Sequence, residues 1–204
     1  MIGAFLTWLE HSLGKGPSPD GQSWSEALLG SLNFWNLLEG THLIALMLFA
    51  GTIMIVDLRL LGATFRKTRV SVISDAILPL TIFSFAFVMI TGFGLAFAKP
   101  LVYYHKIWFR AKMIFLALAM LNILFFHGKI QKTQDTWDAD ELPPGGARWA
   151  AASSLFLWFL VITCGRFIAY NWYDCGKPQT AFMNWVQECK TSEDGAVALG
   201  GANR

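Results

Sequence analysis

This chain carries little charge. Asp, Glu, Lys and Arg make up 15% of its 204 residues and leave a net charge of only +2. That excludes the clustered cationic surplus that neutralising nucleic-acid phosphates requires. Soluble-enzyme signatures are missing as well: there is no phosphate-cradling glycine loop, no Cys-x-x-Cys pair and no His-Glu-x-x-His metal motif. Ser153 and Ser154 have no base near them in sequence and read as helix-packing groups rather than nucleophiles. The acidic stretch DTWDADEL reads as a solvated turn. No internal repeat or low-complexity tract is evident. What the chain does have is apolar mass, 54% hydrophobic residues with 17 Phe and 9 Trp, too much for an ordinary soluble domain of this length.

These proportions predict an all-α integral membrane protein: an up-and-down bundle of four transmembrane helices preceded by an amphipathic N-terminal interfacial helix. A bilayer-spanning helix needs about 20 mostly apolar residues. Four stretches qualify, at about 41–61, 76–98, 107–127 and 149–170. The organisation that follows is an interfacial N-terminal region over 1–40, a four-helix domain over 41–170 and a periplasmic tail over 171–204. Residues 1–13 put Ile2, Phe5, Leu6, Leu9 and Leu13 on one helical stripe beside Glu10 and His11, ahead of the breaker run GKGPSPDG. A signal peptide fits less well, because the start is not basic and Glu10 interrupts the apolar run. Between the third and fourth stretches, KIQKTQDTWDADELPPGGAR reads as a solvent loop.

Basic residues near the helix ends set the orientation. Arg59, Arg66, Lys67 and Arg69 in the first loop and Lys129, Lys132 and Arg148 in the third share one face, which is expected to be cytoplasmic. Lys99, Lys106, Arg110 and Lys112 flank the third helix on the other face, the last two with room to point into the bundle. A bacterial inner-membrane protein with both termini periplasmic follows. Cys175 and Cys189 then lie outside, where a disulfide can persist, whereas Cys164 inside the fourth helix reads as packing.

The ionisable residues within the spans suggest chemistry. His42 heads the first helix and His105 immediately precedes the third, so both begin on the same face. Along the third helix His105, Lys112, Leu116, Ile123 and His127 fall near one stripe, with His127 roughly 33 Å from His105 and interfacial. Asp57 with Arg59 reads as an interfacial ion pair, and Arg166 ends on the same side as His42 and His105. Two neutral imidazoles from facing helices can supply both axial ligands of a haem b, and Lys112 or Arg166 can pair with its propionates. His42 and His105 are therefore the candidate metal ligands, and His42, His105, Lys112 and Arg166 the candidate cofactor site. No catalytic residue is assigned. His11 is a spare ligand at the same face. The bland alternatives are a lone histidine at a helix end as an interfacial residue and a snorkelling Lys112.

His42 followed by an apolar helix with Gly51, then WFRAKMIFLALAMLN with Trp108 and Lys112, then FFHGKI, resembles the four-helix membrane family of HemJ-type protoporphyrinogen oxidases and CopD-type copper-resistance proteins. The likeness covers about residues 35–170. It implies a haem-binding helix-one histidine, here His42, and a functionally needed helix-three lysine, here Lys112. RWAAASSLFLWFLVITCGRFIAY is similar to the last helix of an uncharacterised bacterial relative. The long N-terminal region and the Cys-containing tail depart from the HemJ pattern. Met47, Met54, Met89, Met113 and Met120 permit a copper path, although scattered Met in apolar helices is ordinarily packing.

Three functions are expected in order: a haem b membrane subunit passing electrons between a periplasmic partner and quinone or a membrane enzyme; a HemJ-like protoporphyrinogen oxidase; and a haem-free copper-transport or complex-assembly subunit. The expected partners are the lipid bilayer and a protein partner or second copy at the periplasmic face, with no nucleic acid.

Overall fold

The structure, a computed structural model, describes residues 2–13, 21–170, 180–187 and 189. Every regular element among these is helical: α1 (Ile2–His11), α2 (Trp24–Gly30), α3 (Leu32–Leu60), α4 (Val70–Ala98), α5 (Pro100–His105), α6 (Ile107–Phe125), α7 (Gly145–Ile168) and α8 (Ala181–Val186). Four of them are long and apolar enough to cross a membrane: α3, α4, α7, and α6 with its continuation to Thr136. The expected four-helix architecture is present, and the sequence boundaries differ mainly at the ends.

Helix α3 begins at Leu32 rather than near Thr41, so it absorbs the second half of the segment expected to lie at the interface. No proline or turn pair interrupts LNFWNLLEG, and an apolar helix propagates once nucleated. Helix α4 likewise starts at Val70 and carries Pro79 inside it. The connection from α6 to α7 is not the open solvent loop expected. It continues as a π-helical turn (Phe126–Ile130) and a 3-10 turn (Gln131–Thr136), then buries Trp137 against Leu60, Val70, Ala147 and Ala151.

That connection locks one end of the bundle. The Asp138 carboxylate accepts from the Ser71 backbone N–H at 2.7 Å and the Ser71 hydroxyl at 2.6 Å, capping the start of α4 from another segment. Burial works against its ionisation, but these hydrogen bonds hold the Asp138 carboxyl below its ordinary value. Fully buried Arg59 donates to Thr68 O at 2.8 Å and Asp140 O at 2.9 Å. The expected Asp57–Arg59 ion pair does not form: residues two apart on a helix do not face each other, and the Arg59 guanidinium is held by the Thr68 and Asp140 carbonyls instead. Gly62 ends α3 at φ +72°, where a Cβ would press on Leu142 Cδ2 at 2.7 Å.

The other end carries the N-terminal helices. Ser23 and Glu26 form a capping box at the start of α2. The Ser23 backbone N–H, and after it His11, hold Glu26 below the usual carboxylate range. Ser25 donates to Ala98 O at 2.7 Å, and the Glu10 carboxylate accepts from the Leu101 backbone N–H at 3.2 Å. Both short helices are thereby fixed to the α4–α5 corner, with Phe5, Trp8 and Trp24 facing outward.

Inside the bundle, α3 pairs with α4 and α6 with α7, and the two pairs meet along α3 and α7. Helices α4 and α6 make little or no direct backbone contact and face each other across a cleft. A central aromatic layer fills the middle: Phe49 meets Trp158 edge-on at 4.7 Å and Phe85 at 5.2 Å, over Ala119 and Val161.

Candidate functional site

Two polar groups of side chains lie on either side of that aromatic layer. The first is at the end where α3 begins. His42, nearly three turns into α3, shares a 2.9 Å hydrogen bond between its Nδ1 and Thr91 Oγ1 of α4. The Thr91 hydroxyl also reaches the Phe87 carbonyl at 2.7 Å. A hydroxyl has one proton to donate, and if it is given to the Phe87 carbonyl, the Thr91 oxygen accepts from a protonated Nδ1. Nε2 is then the unprotonated nitrogen, the one with a lone pair for a ligand or a donor. Gly92 makes the approach of α4 to this ring feasible, since a Cβ there would stand 3.2 Å from His42 Cε1.

Lys112 enters from α6. Its ammonium lies beside Gly165 of α7, 3.5 Å from where a Cβ would be, and close enough to His42 and to the Cys164 thiol to interact with both electrostatically. No acidic side chain or carbonyl among the described residues accepts a hydrogen bond from it. Charges at such depth are costly unless paired. Among the described residues Lys112 is therefore a cation inside the bundle with no anionic partner. Cys164 is buried and free, as its position in the fourth helix suggested.

The structure places the other two sequence candidates elsewhere. His105 ends α5, and Lys106 follows in an extended conformation, so the helix breaks there and His105 leaves the α6 stripe on which the sequence put it. Its Nδ1 pairs with Gln187 O of α8 at 2.8 Å. Seven residues along the chain, about 10 Å at helical rise, separate it from Lys112. Arg166 is exposed, with its guanidinium over the Tyr170 ring at 5.2 Å. His11 pairs with Glu26 at 3.2 Å. Thus His42 and Lys112 come together, while His105 and Arg166 stand at the rim with partners of their own. His127 is exposed in the π-helical turn with Nδ1 on Ile123 O. Cys189 is disulfide-bonded, and Cys175, its expected partner, lies outside the described residues.

Sequence reasoning missed the second polar group. On the other side of the aromatic layer a cavity of about 410 Å³ opens between α3, α4, α6 and α7, and Asp57 forms part of its wall. Asp57 is 7% exposed, with the Ser154 side chain beside it and no hydrogen-bond partner on Oδ2. Asn122 is also at the wall and donates to Ala150 O at 2.9 Å. Reading Asp57 and Arg59 as a pair concealed this site. The signal available was the helical spacing of Asp57 and Ser154 from the central Phe49 and Trp158. Among the described residues no group of three or more His, Cys, Asp or Glu side chains gathers to hold a metal ion.

No curated protein and no solved structure matches the chain. Residues 33–171, which span all four long helices and both polar groups, match a protein-family profile described as a family of unknown function, and the chain belongs to that family, DUF6644.

Proposed function

We propose that this chain is a multi-pass subunit of a bacterial inner membrane that binds a haem b at His42 and carries electrons between a periplasmic partner and quinone or a membrane enzyme. The observation that carries the reading is the His42–Lys112 arrangement: an imidazole held through Nδ1 by Thr91, next to a cation with no anionic partner among the described residues. The residues present suit a haem in two respects. Holding one ring nitrogen by a hydrogen bond fixes tautomer and orientation for ligation through the other, and an ammonium beside the ligand suits a propionate. His105 meets the first condition too, since its Nδ1 is engaged by Gln187 O, and it is retained as the candidate second ligand from the rim. When bound, a haem supplies one-electron transfer. The chain's own part is to hold the His42 ring through Thr91 and to offer Lys112 as counter-charge.

A second reading draws on Lys112 alone. An uncompensated cation also suits the carboxylates of a porphyrinogen, as in the HemJ-type oxidases that the helix-one histidine and helix-three lysine resemble. A copper-transport role draws less support, because the described residues hold no group of three or more His, Cys, Asp or Glu side chains.

The test is a reduced-minus-oxidised optical spectrum of the purified full-length protein beside His42→Ala, His105→Ala and Lys112→Met. A haem b signal in the parent that His42→Ala abolishes supports the reading, and its persistence in His105→Ala assigns the second ligand elsewhere. A parent protein free of haem despite adequate haem supply overturns it. Porphyrin accumulating in a deletion strain would move the assignment to the oxidase.

A further inference from the structure

The cavity beside Asp57 lies apart from the His42 group, with the Phe49–Phe85–Trp158 layer between them. Its walls are mostly apolar and partly aromatic, with Phe49, Phe85 and Phe126 around it. Leu78 and Ile82 of α4 and Met120 of α6 line it and are also exposed on the outer surface of the bundle. Those three mark a mouth in the cleft where α4 and α6 fail to meet. An occupant arriving through that mouth comes from the apolar surroundings of the helices.

In the cavity wall stands the Asp57 carboxylate, more than nine-tenths buried, with one oxygen that accepts no hydrogen bond from the described residues. A buried acceptor left unpaired costs roughly 1–3 kcal/mol, more when it is charged. Such a group calls for an explanation, and in the wall of a cavity a bound donor supplies one. The torsion that turns a carboxylate is broad, so either oxygen of Asp57 can be presented to the cavity. The cavity's size falls within the range of small-molecule sites, about 300–1,000 Å³. A flat ring bearing a hydroxyl donor fits between aromatic walls, and a long apolar tail would leave through the mouth.

We infer that this cavity binds a membrane-borne quinol, whose ring hydroxyl donates to the Asp57 carboxylate while its tail passes between α4 and α6. The site deepens the electron-transfer reading by giving the quinone a place. It rests on that reading for its redox role only, because the binding itself stands on the cavity and Asp57. Asp57 acts here as an acceptor that distinguishes the reduced ligand, which has a hydroxyl proton to give, from the oxidised one, which has none.

The experiment measures binding of a short-chain benzoquinol and of the corresponding benzoquinone to the full-length protein in detergent under anaerobic conditions. The parent, Asp57→Asn and Ile82→Trp are compared, with helicity and elution profile confirming that each variant folds. Ile82 is largely exposed, so a larger side chain there narrows the mouth without crowding the core. Measured at about pH 9, where the carboxyl is ionised and can only accept, the parent is expected to prefer the quinol by about tenfold or more, which is the difference a hydrogen bond to a charged group makes. Asp57→Asn should remove or reverse that preference, since its amide can donate to a quinone carbonyl. Ile82→Trp should weaken both forms. Equal affinity for the two forms in the parent, or unchanged binding in both variants, overturns the inference. A long-chain alkyl amine that binds more tightly than the quinol, and loses that binding in Asp57→Asn, overturns it in favour of a cation site. Haem absorbance read on the same samples separates the two proposals: quinol binding without haem leaves this site standing and removes the electron-transfer reading, and haem without quinol binding does the opposite.

Discussion

Replacing Lys112 with Met should make the ligand-free protein more stable and the liganded protein less so. Met keeps the apolar stem of the side chain and deletes the ammonium that has no anionic partner among the described residues. Full burial of an unpaired ion costs several kcal/mol even after relaxation. Lys112 is only partly buried, so water retains some access and the cost is discounted to about 1–2 kcal/mol. For a chain of this length each kcal/mol moves the melting temperature by roughly 2–4 °C, so the ligand-free variant should melt about 2–8 °C higher. The assay is thermal unfolding of detergent-purified, haem-depleted protein, followed by helicity. Repeating it after haem is added reverses the sign, because the parent gains stability in proportion to how tightly its ligand binds and the variant lacks the counter-charge. A ligand-free variant that melts below the parent would refute the argument, for it would make Lys112 a structural group with a partner of its own.

Three further outcomes follow from the packing. Asp138→Ala removes the cap on α4 and should lower the melting temperature by roughly 2–8 °C, the equivalent of about 1–2 kcal/mol. In the parent the Asp138 carboxyl is held below its ordinary value near 3.9, so its contribution is complete above that pH and fades as pH falls through the lower folded-state value; Asp138→Ala should lack this acid-side loss in a pH series of melts. Phe49→Ala opens the central aromatic layer and should cost about 3–5 kcal/mol in unfolding free energy, with a loss under 1 kcal/mol meaning that the layer re-packs. Gly92→Ala should displace the His42 ring and alter the haem spectrum, whereas Gly165→Ala, whose Cβ would meet Lys112 Nζ at an ordinary 3.5 Å, should leave it unchanged.

Much of the fold was legible because membrane-compatible helices announce themselves by length and apolar content alone. All four were found, and α6 and α7 lay within a few residues of their expected limits. The starts of α3 and α4 were not, since nothing in LNFWNLLEG or in VSVISD stops a helix and the cap for α4 comes from Asp138, 67 residues away from Ser71. The same non-local reach explains the loop that is not a loop: Trp137 is buried by partners from α3, α4 and α7 that no local pattern connects to it. At the site, His42 and Lys112 could be picked as polar groups within apolar helices. That they share a neighbourhood, and that His105 does not join them on α6, depended on one extended residue at Lys106.

The arrangement of polar and apolar residues along the helices gives the two groups a common logic. On α3, His42, Phe49 and Asp57 lie about two turns apart on one stripe. On α7, Gly165 and Cys164, then Val161 and Trp158, then Ser154 repeat the order in the opposite chain direction. On α6 the order is Lys112, then Leu116 and Ala119, then Asn122. Each interior stripe is therefore polar, apolar and polar again, and among the described residues one cation, Lys112, is unmatched above the layer and one Asp57 oxygen below it. Had the two charges existed to stabilise the fold, the lowest-energy solution would place them together as a pair. Instead a layer built from Phe49, Phe85 and Trp158 keeps them apart at Coulomb distances, about 22 Å along α3 from His42 to Asp57 at helical rise. At that range, in a medium of effective dielectric about 20, their attraction is under about 1 kcal/mol, too little to offset either burial. The unmatched charges are thus better explained by two separate ligands than by mutual stabilisation, one completed by an anion near His42 and one by a hydrogen-bond donor at Asp57.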